Sequence, residues 1–186
     1  MEPHRLNAQL LGSGLPAEDA QWAFLESVVS RTNTRGVALF IHKPLFDRDS
    51  CEAAVNQRYV IPNSRRRLLD VLGGASLRLV ASGHVHQHRR HRVGEVEHCW
   101  GPSTAYVLPD RMQPRIGHKR VGYIDYTFHA SRVDVRVVES PDLTNHDLDD
   151  FPLAYGPELQ PAGTRPSEGP FAGGKDATAT GQIVVE

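Results

Sequence analysis

The stretch that decides the fold is residues 77–86, which read Leu-Arg-Leu-Val-Ala-Ser-Gly-His-Val-His. A short apolar run that ends at a glycine is typical of a strand buried within a sheet. We therefore predict a strand over Leu77–Ala81, followed by a turn that carries His84 and His86. We expect the two imidazoles of this turn to point to different sides of the backbone, which would suit two neighbouring metal ions. Gly83 is expected to allow the tight turn before the first of them.

A second run of the same kind lies earlier in the chain. Val37–Ile41 is apolar throughout, and His42 follows at its carboxyl end, before a Lys-Pro pair. Ligands of α/β sheets collect outside the carboxyl ends of the strands, so we expect His42, His84 and His86 to converge there. Imidazole is the commonest metal ligand in proteins. The sequence therefore predicts a metal site built from these three histidines.

The other predicted elements change from helical to strand periodicity along the chain. One helix is predicted from Pro16 to the Arg35-Gly36 pair, and a second over Arg65–Leu72, after a polar loop over 47–64. Four further strands are predicted at Val93–Trp100, Ala105–Leu108, Val121–His129 and Val133–Val138. This order predicts a mixed α/β fold whose sheet ends in an antiparallel meander, with one solvated hairpin face.

Composition excludes several classes of protein. The 186 residues carry 21 Lys and Arg against 22 Asp and Glu, a balance that argues against a dedicated nucleic-acid binder. No apolar run approaches the ~20 residues that cross a bilayer, and no signal-peptide h-region follows Met1. Two cysteines are too few for a disulfide scaffold. We therefore expect a cytoplasmic protein without a membrane partner.

The composition shifts near the end of the chain. Residues 139–150 contain five acids and no Lys or Arg, and residues 151–186 are rich in Pro and Gly. Segments of this composition bury too little apolar surface to fold. We predict one domain over 1–140, followed by a mostly disordered acidic tail over 141–186 with no site in it.

Four segments together resemble the calcineurin-like metallophosphoesterases, in particular the bacterial branch that is similar to cyclic-nucleotide phosphodiesterases. They are Leu15–Leu25 with its Gln21-Trp22 pair, Phe40–Phe46, Ser82–His86 and Pro102–Tyr106. The resemblance covers roughly residues 5–140 and implies the C-terminal half of an αββα sandwich. It further implies that His42 and His84 bind one ion of a dinuclear centre and that His86 binds the other. Mn, Fe or Zn would suit these ligands.

The N-terminal motifs of the family do not occur in this sequence. The family takes its remaining ligands from Asp-x-His, Gly-Asp-x-x-Asp and Gly-Asn-His motifs, and none of these occurs before His42. The bridging carboxylate and the histidine that protonates the leaving group are therefore missing, so no catalytic residue is identified. Asp47 and Asp49 are nearby carboxylates whose spacing does not mark them as ligands. We expect the site to be completed by self-association or by a missing N-terminal half.

Three functions follow from these observations. The first is a metal-dependent phosphoesterase that hydrolyses a small phosphomonoester or phosphodiester with a metal-activated water, incomplete in this chain. The alternative is a non-catalytic interaction or scaffold protein on a degenerate phosphoesterase fold. The third is a mononuclear zinc hydrolase that uses His42, His84 and His86, for which no general base is identified. His88 and His91 are expected to face solvent.

Overall fold

The architecture is organised around a five-stranded sheet. The computed structural model describes residues 2–32, 36–73, 76–130 and 132–151. The strands of the sheet are β1 (Glu2–Leu6), β2 (Gly36–Ile41), β3 (Ser76–Ser82), β4 (Arg89–Val93) and β5 (Val96–Trp100). Their order is β1-β2-β3-β5-β4, and all neighbours are parallel except β4, which pairs antiparallel with β5. The four parallel strands therefore end at one edge, where ligands of such sheets bind.

Two helices pack on one face of this sheet. Both α1 (Pro16–Arg31) and α2 (Pro62–Leu72) begin at a proline, whose fixed φ suits the first helical position. Trp22 of α1 and Leu68 of α2 are buried in the main hydrophobic core together with Leu39 of β2. Among the described residues, no helix combines the length and the apolar character that a membrane span requires.

A separate hairpin packs on the opposite face of the sheet. It consists of β6 (Tyr123–Phe128) and β7 (Val133–Val138). Its inner side chains contact strand residues that point away from the helices, and this second core comprises Ala38, Leu79, Ala81 and Cys99 with Phe40, Ile124, Tyr126, Val133 and Val135. The layers are thus two helices, a mixed sheet and a hairpin. This confirms the predicted mixed α/β class and the half of an αββα sandwich.

Two predicted strands differ from the structure. Val93–Trp100 is not one strand, because Gly94 adopts a φ of +57° and turns the chain from β4 into β5. The segment Ala105–Leu108 contributes only an isolated bridge between Val107 and Asp147. Periodicity alone does not reveal these interruptions, since both segments keep the apolar content of a strand.

Three further elements differ from the local pattern. β1 has the sequence Glu-Pro-His-Arg-Leu and no apolar alternation, so it was not predicted. It is a strand because it pairs in parallel with β2 along its whole length. The second helix begins at Pro62 rather than at Arg65, and the predicted loop is shorter accordingly. The structure describes α1 as far as Arg31, before the predicted end at residues 35–36.

Part of the predicted acidic tail packs against the domain. Leu148, in the 3₁₀ helix Leu148–Asp150, is 7% exposed. Val107 N donates to His146 O at 2.8 Å, and Leu148 N donates to Val107 O at 3.0 Å. The described fold therefore continues past the predicted boundary at residue 140, up to Phe151. The rest of the predicted tail, residues 152–186, lies outside the described residues.

Candidate metal centre

The candidate site lies at the carboxyl edge of the parallel strands. His42 directly follows β2, and the turn with His84 and His86 follows β3. The two strand ends are joined by a backbone hydrogen bond, in which Gly83 N donates to His42 O at 3.0 Å. Because parallel strands end together, this register brings together residues that are far apart in the chain. The structure brings the rings of His42 and His84 into contact at this edge.

His42 and His84 form a close pair. His84 Nδ1 lies 3.1 Å from His42 Nε2, and the ring centroids are 4.8 Å apart at an angle of 68°. One of these nitrogens donates a proton and the other accepts it. Two nitrogens on one tetrahedral ion, each ~2.0–2.1 Å from the metal, are about 3.3 Å apart. The 3.1 Å separation is close to this value, so the pair can hold one ion once the proton between the rings has moved to the other nitrogen of its donor ring.

His86 has a different partner. Its Nδ1 lies 3.1 Å from the Tyr106 carbonyl oxygen, and the two rings are 4.8 Å apart. A carbonyl oxygen only accepts, so Nδ1 carries the proton, and in the neutral ring Nε2 holds the lone pair. Metal-binding histidines typically donate their other ring N–H to a carbonyl or carboxylate in this way. His86 is therefore prepared as a ligand through Nε2, separately from the His42–His84 pair.

The turn that carries these histidines has a rare backbone conformation. His84 and His86 adopt φ values of +65° and +49°, in the left-handed region that most side chains avoid. Gly83 does not have a positive φ, so the expectation that it permits the turn is wrong. Left-handed non-glycine residues cost of order 1–3 kcal/mol and cluster at functional sites. Here Val85 and Gln87, both 0% exposed, hold the turn on either side of His86.

All three imidazoles are neutral near pH 7. Burial, the neighbouring His42 and the charge of Lys43 lower the pKa of His84 to about 4. Burial also lowers the pKa of His42, with a smaller contribution from Lys43, and burial and His42 lower that of His86. A neutral imidazole is the form that binds a metal ion. The site is therefore ready to accept an ion without releasing protons from imidazolium groups.

The described residues do not supply a complete dinuclear centre. Within them, no group of three or more His, Cys, Asp or Glu side chains has an arrangement that could hold a metal ion. Asp47 binds Arg89 at 2.6 Å, and Asp49 accepts a hydrogen bond from Cys51 N, so these carboxylates are engaged elsewhere. The mononuclear zinc centre of three histidines therefore gains no support from these residues. The described residues fit one ion with two nitrogen ligands, and among them we find no bridging carboxylate.

The other histidines of the cluster do not face solvent as predicted. His88 is partly buried and its Nδ1 donates to Trp100 O at 3.0 Å. His91 lies in β4, and its ring stacks on His98 of β5 at 5.2 Å. Both ring nitrogens of His91 are buried, with no hydrogen-bond partner among the described residues. The prediction was wrong for His91 because residues 89–93 form an edge strand, which alternates its side chains between two faces, and for His88 because it forms an isolated bridge with His118.

Sequence reasoning missed three residues that support the site. They are Tyr106, whose carbonyl orients His86, and the buried polar residues Gln87 and Lys119. The sequence did contain a signal for Gln87. It stands two residues after Val85, and in an alternating segment these two residues share one side of the chain, which is the buried side. Nothing local to Lys119 indicated that it would be buried.

Replacing Gly117 with alanine is expected to destabilise the protein, whereas Gly83→Ala should be tolerated. A Cβ at Gly117 would lie 2.6 Å from His88 O, in a backbone pair with His118 that has little freedom to move. A Cβ at Gly83 meets no atom within 4 Å. Urea denaturation should show a loss of about 1–3 kcal/mol for Gly117→Ala and under about 0.5 kcal/mol for Gly83→Ala. Equal stability of the two variants would contradict the close backbone approach.

Comparison with solved structures supports the fold. No protein-family model matches the chain, and no curated protein matches it. A structure of GAP50 from Plasmodium, described as the anchor in the inner membrane complex, matches with a TM-score of 0.56 at 15% identity, over 76% of this chain and 46% of that chain. A dimetal phosphatase from Danio rerio matches with a TM-score of 0.43 at 17% identity, over 65% of this chain and 36% of that chain. The first match shows a common fold, and this chain spans about half the length of GAP50.

Proposed function

We propose that this protein is a calcineurin-like metallophosphoesterase and that the chain contributes His42, His84 and His86 to its metal centre. The observation that carries the proposal is the 3.1 Å approach of His42 Nε2 to His84 Nδ1 at the carboxyl edge of the parallel strands. A bound divalent ion would lower the pKa of a coordinated water and stabilise phosphoryl oxygens. Mn, Fe or Zn suits these imidazole ligands.

Each histidine has a distinct role in this proposal. His42 and His84 share one ion, while His86 binds a second through Nε2. The carboxylates that two such ions need come from outside the described residues, from a complementary N-terminal half or a second copy of the chain. Lys43 and Arg58 act electrostatically on His84, so the surroundings of the site are positive. That field favours an anionic substrate, which we take to be a small phosphomonoester or phosphodiester.

A second candidate is a non-catalytic interaction protein on the same scaffold. It is favoured by the lack of a three-ligand group among the described residues. It also agrees with the common fold of GAP50, which is described as an anchor. In this case the histidine pair would be a structural hydrogen bond, and loss of His84 would leave partner binding unchanged.

The two candidates are separated by hydrolysis of bis(p-nitrophenyl) phosphate in the presence of Mn²⁺ or Zn²⁺. Where a second copy of the chain completes the centre, the phosphoesterase should show saturable, metal-dependent turnover that His84→Ala removes. Where an N-terminal half is needed, the chain should bind the ion through His42 and His84 without turnover. His129→Ala is the matched control, because His129 is an exposed histidine of the hairpin that pairs with Asp134. Its turnover should equal that of the parent protein. Failure of the folded parent protein to bind either ion would contradict the phosphoesterase and favour the scaffold.

A further inference from the structure

Gln87 is a buried polar residue directly after His86, and its amide is fully hydrogen-bonded to one segment. Its Nε2 donates to Gln113 Oε1 at 2.8 Å and to Pro114 O at 3.1 Å. Its Oε1 accepts from Ile116 N at 2.9 Å and from Gly117 N at 2.8 Å. A carboxamide has two donor hydrogens and two acceptor lone pairs, so every one is used. A buried amide whose hydrogen bonds are all formed is typical of a group that determines the local backbone geometry, and Gln87 is 0% exposed.

Lys119 extends this network on the other side of Gln113. It is 5% exposed, and its ammonium donates to Leu108 O at 2.6 Å, Asp110 Oδ1 at 2.7 Å and Gln113 O at 2.7 Å. All three N–H donors are therefore paired. Gln113 accepts from both Gln87 and Lys119 and links the two. We call Gln87, Gln113 and Lys119 the polar clamp.

The polar clamp holds the segment that orients His86. This segment starts at Tyr106, whose carbonyl oxygen accepts the His86 Nδ1–H, and it continues through residues 113–117, which bind Gln87. The turn and the segment are thus joined at two places, one on His86 and one on the next residue. A left-handed φ at a non-glycine residue persists only where its surroundings determine it, and these contacts are the surroundings of His86.

We propose that Gln87 is a positioning residue of the metal centre. Through the polar clamp it holds His86 in its left-handed conformation, with Nδ1–H on the Tyr106 carbonyl and the Nε2 lone pair free for a metal ion. The proposal rests on the proposed function in that it takes His86 as a ligand. Without the four hydrogen bonds of Gln87, the turn relaxes, the carbonyl contact is lost and the ring exchanges between its two tautomers.

The first test measures the ring itself, without metal. Nitrogen chemical shifts of His86 in the full chain should show one tautomer, protonated on Nδ1, in the parent protein. Gln87→Met keeps the length of the side chain but removes all four hydrogen bonds, and it should give a mixture of tautomers. Thr32→Val is the matched control, because it removes a buried hydrogen bond to Val28 O at the far end of α1. It should leave the His86 tautomer unchanged.

The second test measures the affinity for the second Zn²⁺ ion, the one that His86 binds, which is titrated after the ion of the His42–His84 pair is saturated. Loss of a supporting hydrogen-bond partner typically lowers metal affinity by about 10–100-fold, and Gln87→Met should do so while Thr32→Val does not. If Gln87→Met does not fold, Gln113→Met removes a single acceptor of the clamp and should give a smaller shift in the same direction. A folded Gln87→Met protein with the parent tautomer would overturn the proposal. Failure of the parent protein to bind Zn²⁺ would instead count against the proposed function, since the tautomer is read in the absence of metal.

Discussion

Lowering the pH from 7.5 to 5 should cost the protein about 2 kcal/mol of unfolding free energy through His98 alone. Burial, followed by the neighbouring His91, lowers the pKa of His98 to about 4 from an ordinary value of 6.5. As the pH falls, His98 is therefore protonated near pH 6.5 in the unfolded chain but only near pH 4 in the folded protein. The contribution of His98 to the free energy of unfolding is therefore complete above pH 6.5 and decreases as the pH falls from about 6.5 to about 4.

The geometry around His98 explains why the folded state resists protonation. His98 is 4% exposed, its ring lies 4.6 Å from that of Phe46, and His91 stacks on it from the opposite strand. A charge on either imidazole would be placed beside an apolar ring and a second base in a dry interior. Arg89, Asp47 and Glu52 are the charged groups that act on His91. None of these relieves the burial of His98 itself.

Replacing His98 with leucine tests this contribution. The variant should lose stability at pH 7.5 by less than about 1.5 kcal/mol, as for an apolar residue of similar volume. Between pH 7.5 and pH 5, its loss in urea denaturation should be about 2 kcal/mol smaller than that of the parent protein. His129→Gln on the hairpin surface is the control and should keep the parental pH dependence. If His98→Leu also keeps it, another buried histidine controls the acid sensitivity.

Removing either His42 or His84 is expected to lower Zn²⁺ affinity by at least ~100-fold, or about 2.7 kcal/mol. The two nitrogens lie 3.1 Å apart and share one ion in the proposed centre, so loss of either breaks the same chelate. The double variant should therefore lose little beyond each single variant, because coupled ligands are not additive. His86→Ala should leave this first ion bound with affinity within about threefold of the parent, since it serves a second ion.

Competition with a chromophoric chelator measures these affinities directly. The exposed His129→Ala variant controls for the general loss of an imidazole. Additive losses at His42 and His84 would mean that the two residues bind different ions. A loss at His86 as large as that at His84 would mean that all three histidines hold a single ion. Either result would contradict the assignment of His42 and His84 to one ion and His86 to another.

The elements that could be predicted are those whose own residues decide their structure. Val37–Ile41 and Leu79–Ala81 are apolar runs that the sheet buries on both faces, so each can be recognised without its neighbours. The meeting of their histidines followed from one topological rule, that parallel strands end at a common edge. By contrast, β4 reads Arg-Arg-His-Arg-Val, which has no strand signature of its own. It is a strand because its backbone pairs antiparallel with that of β5.

By itself, the sequence determined the helical layer, the buried strands and the three histidines of the candidate centre, because apolar period and strand ends are local properties. Only the tertiary structure decided how those histidines are used. The pairing of His42 with His84, the tautomer of His86 and the burial of Gln87 each depend on atoms far away in the chain. Hydrogen bonds are short and directional, so a displacement of one ångström removes them. The spacing of residues along a sequence does not specify distances at that scale, whereas the packing of the folded chain does.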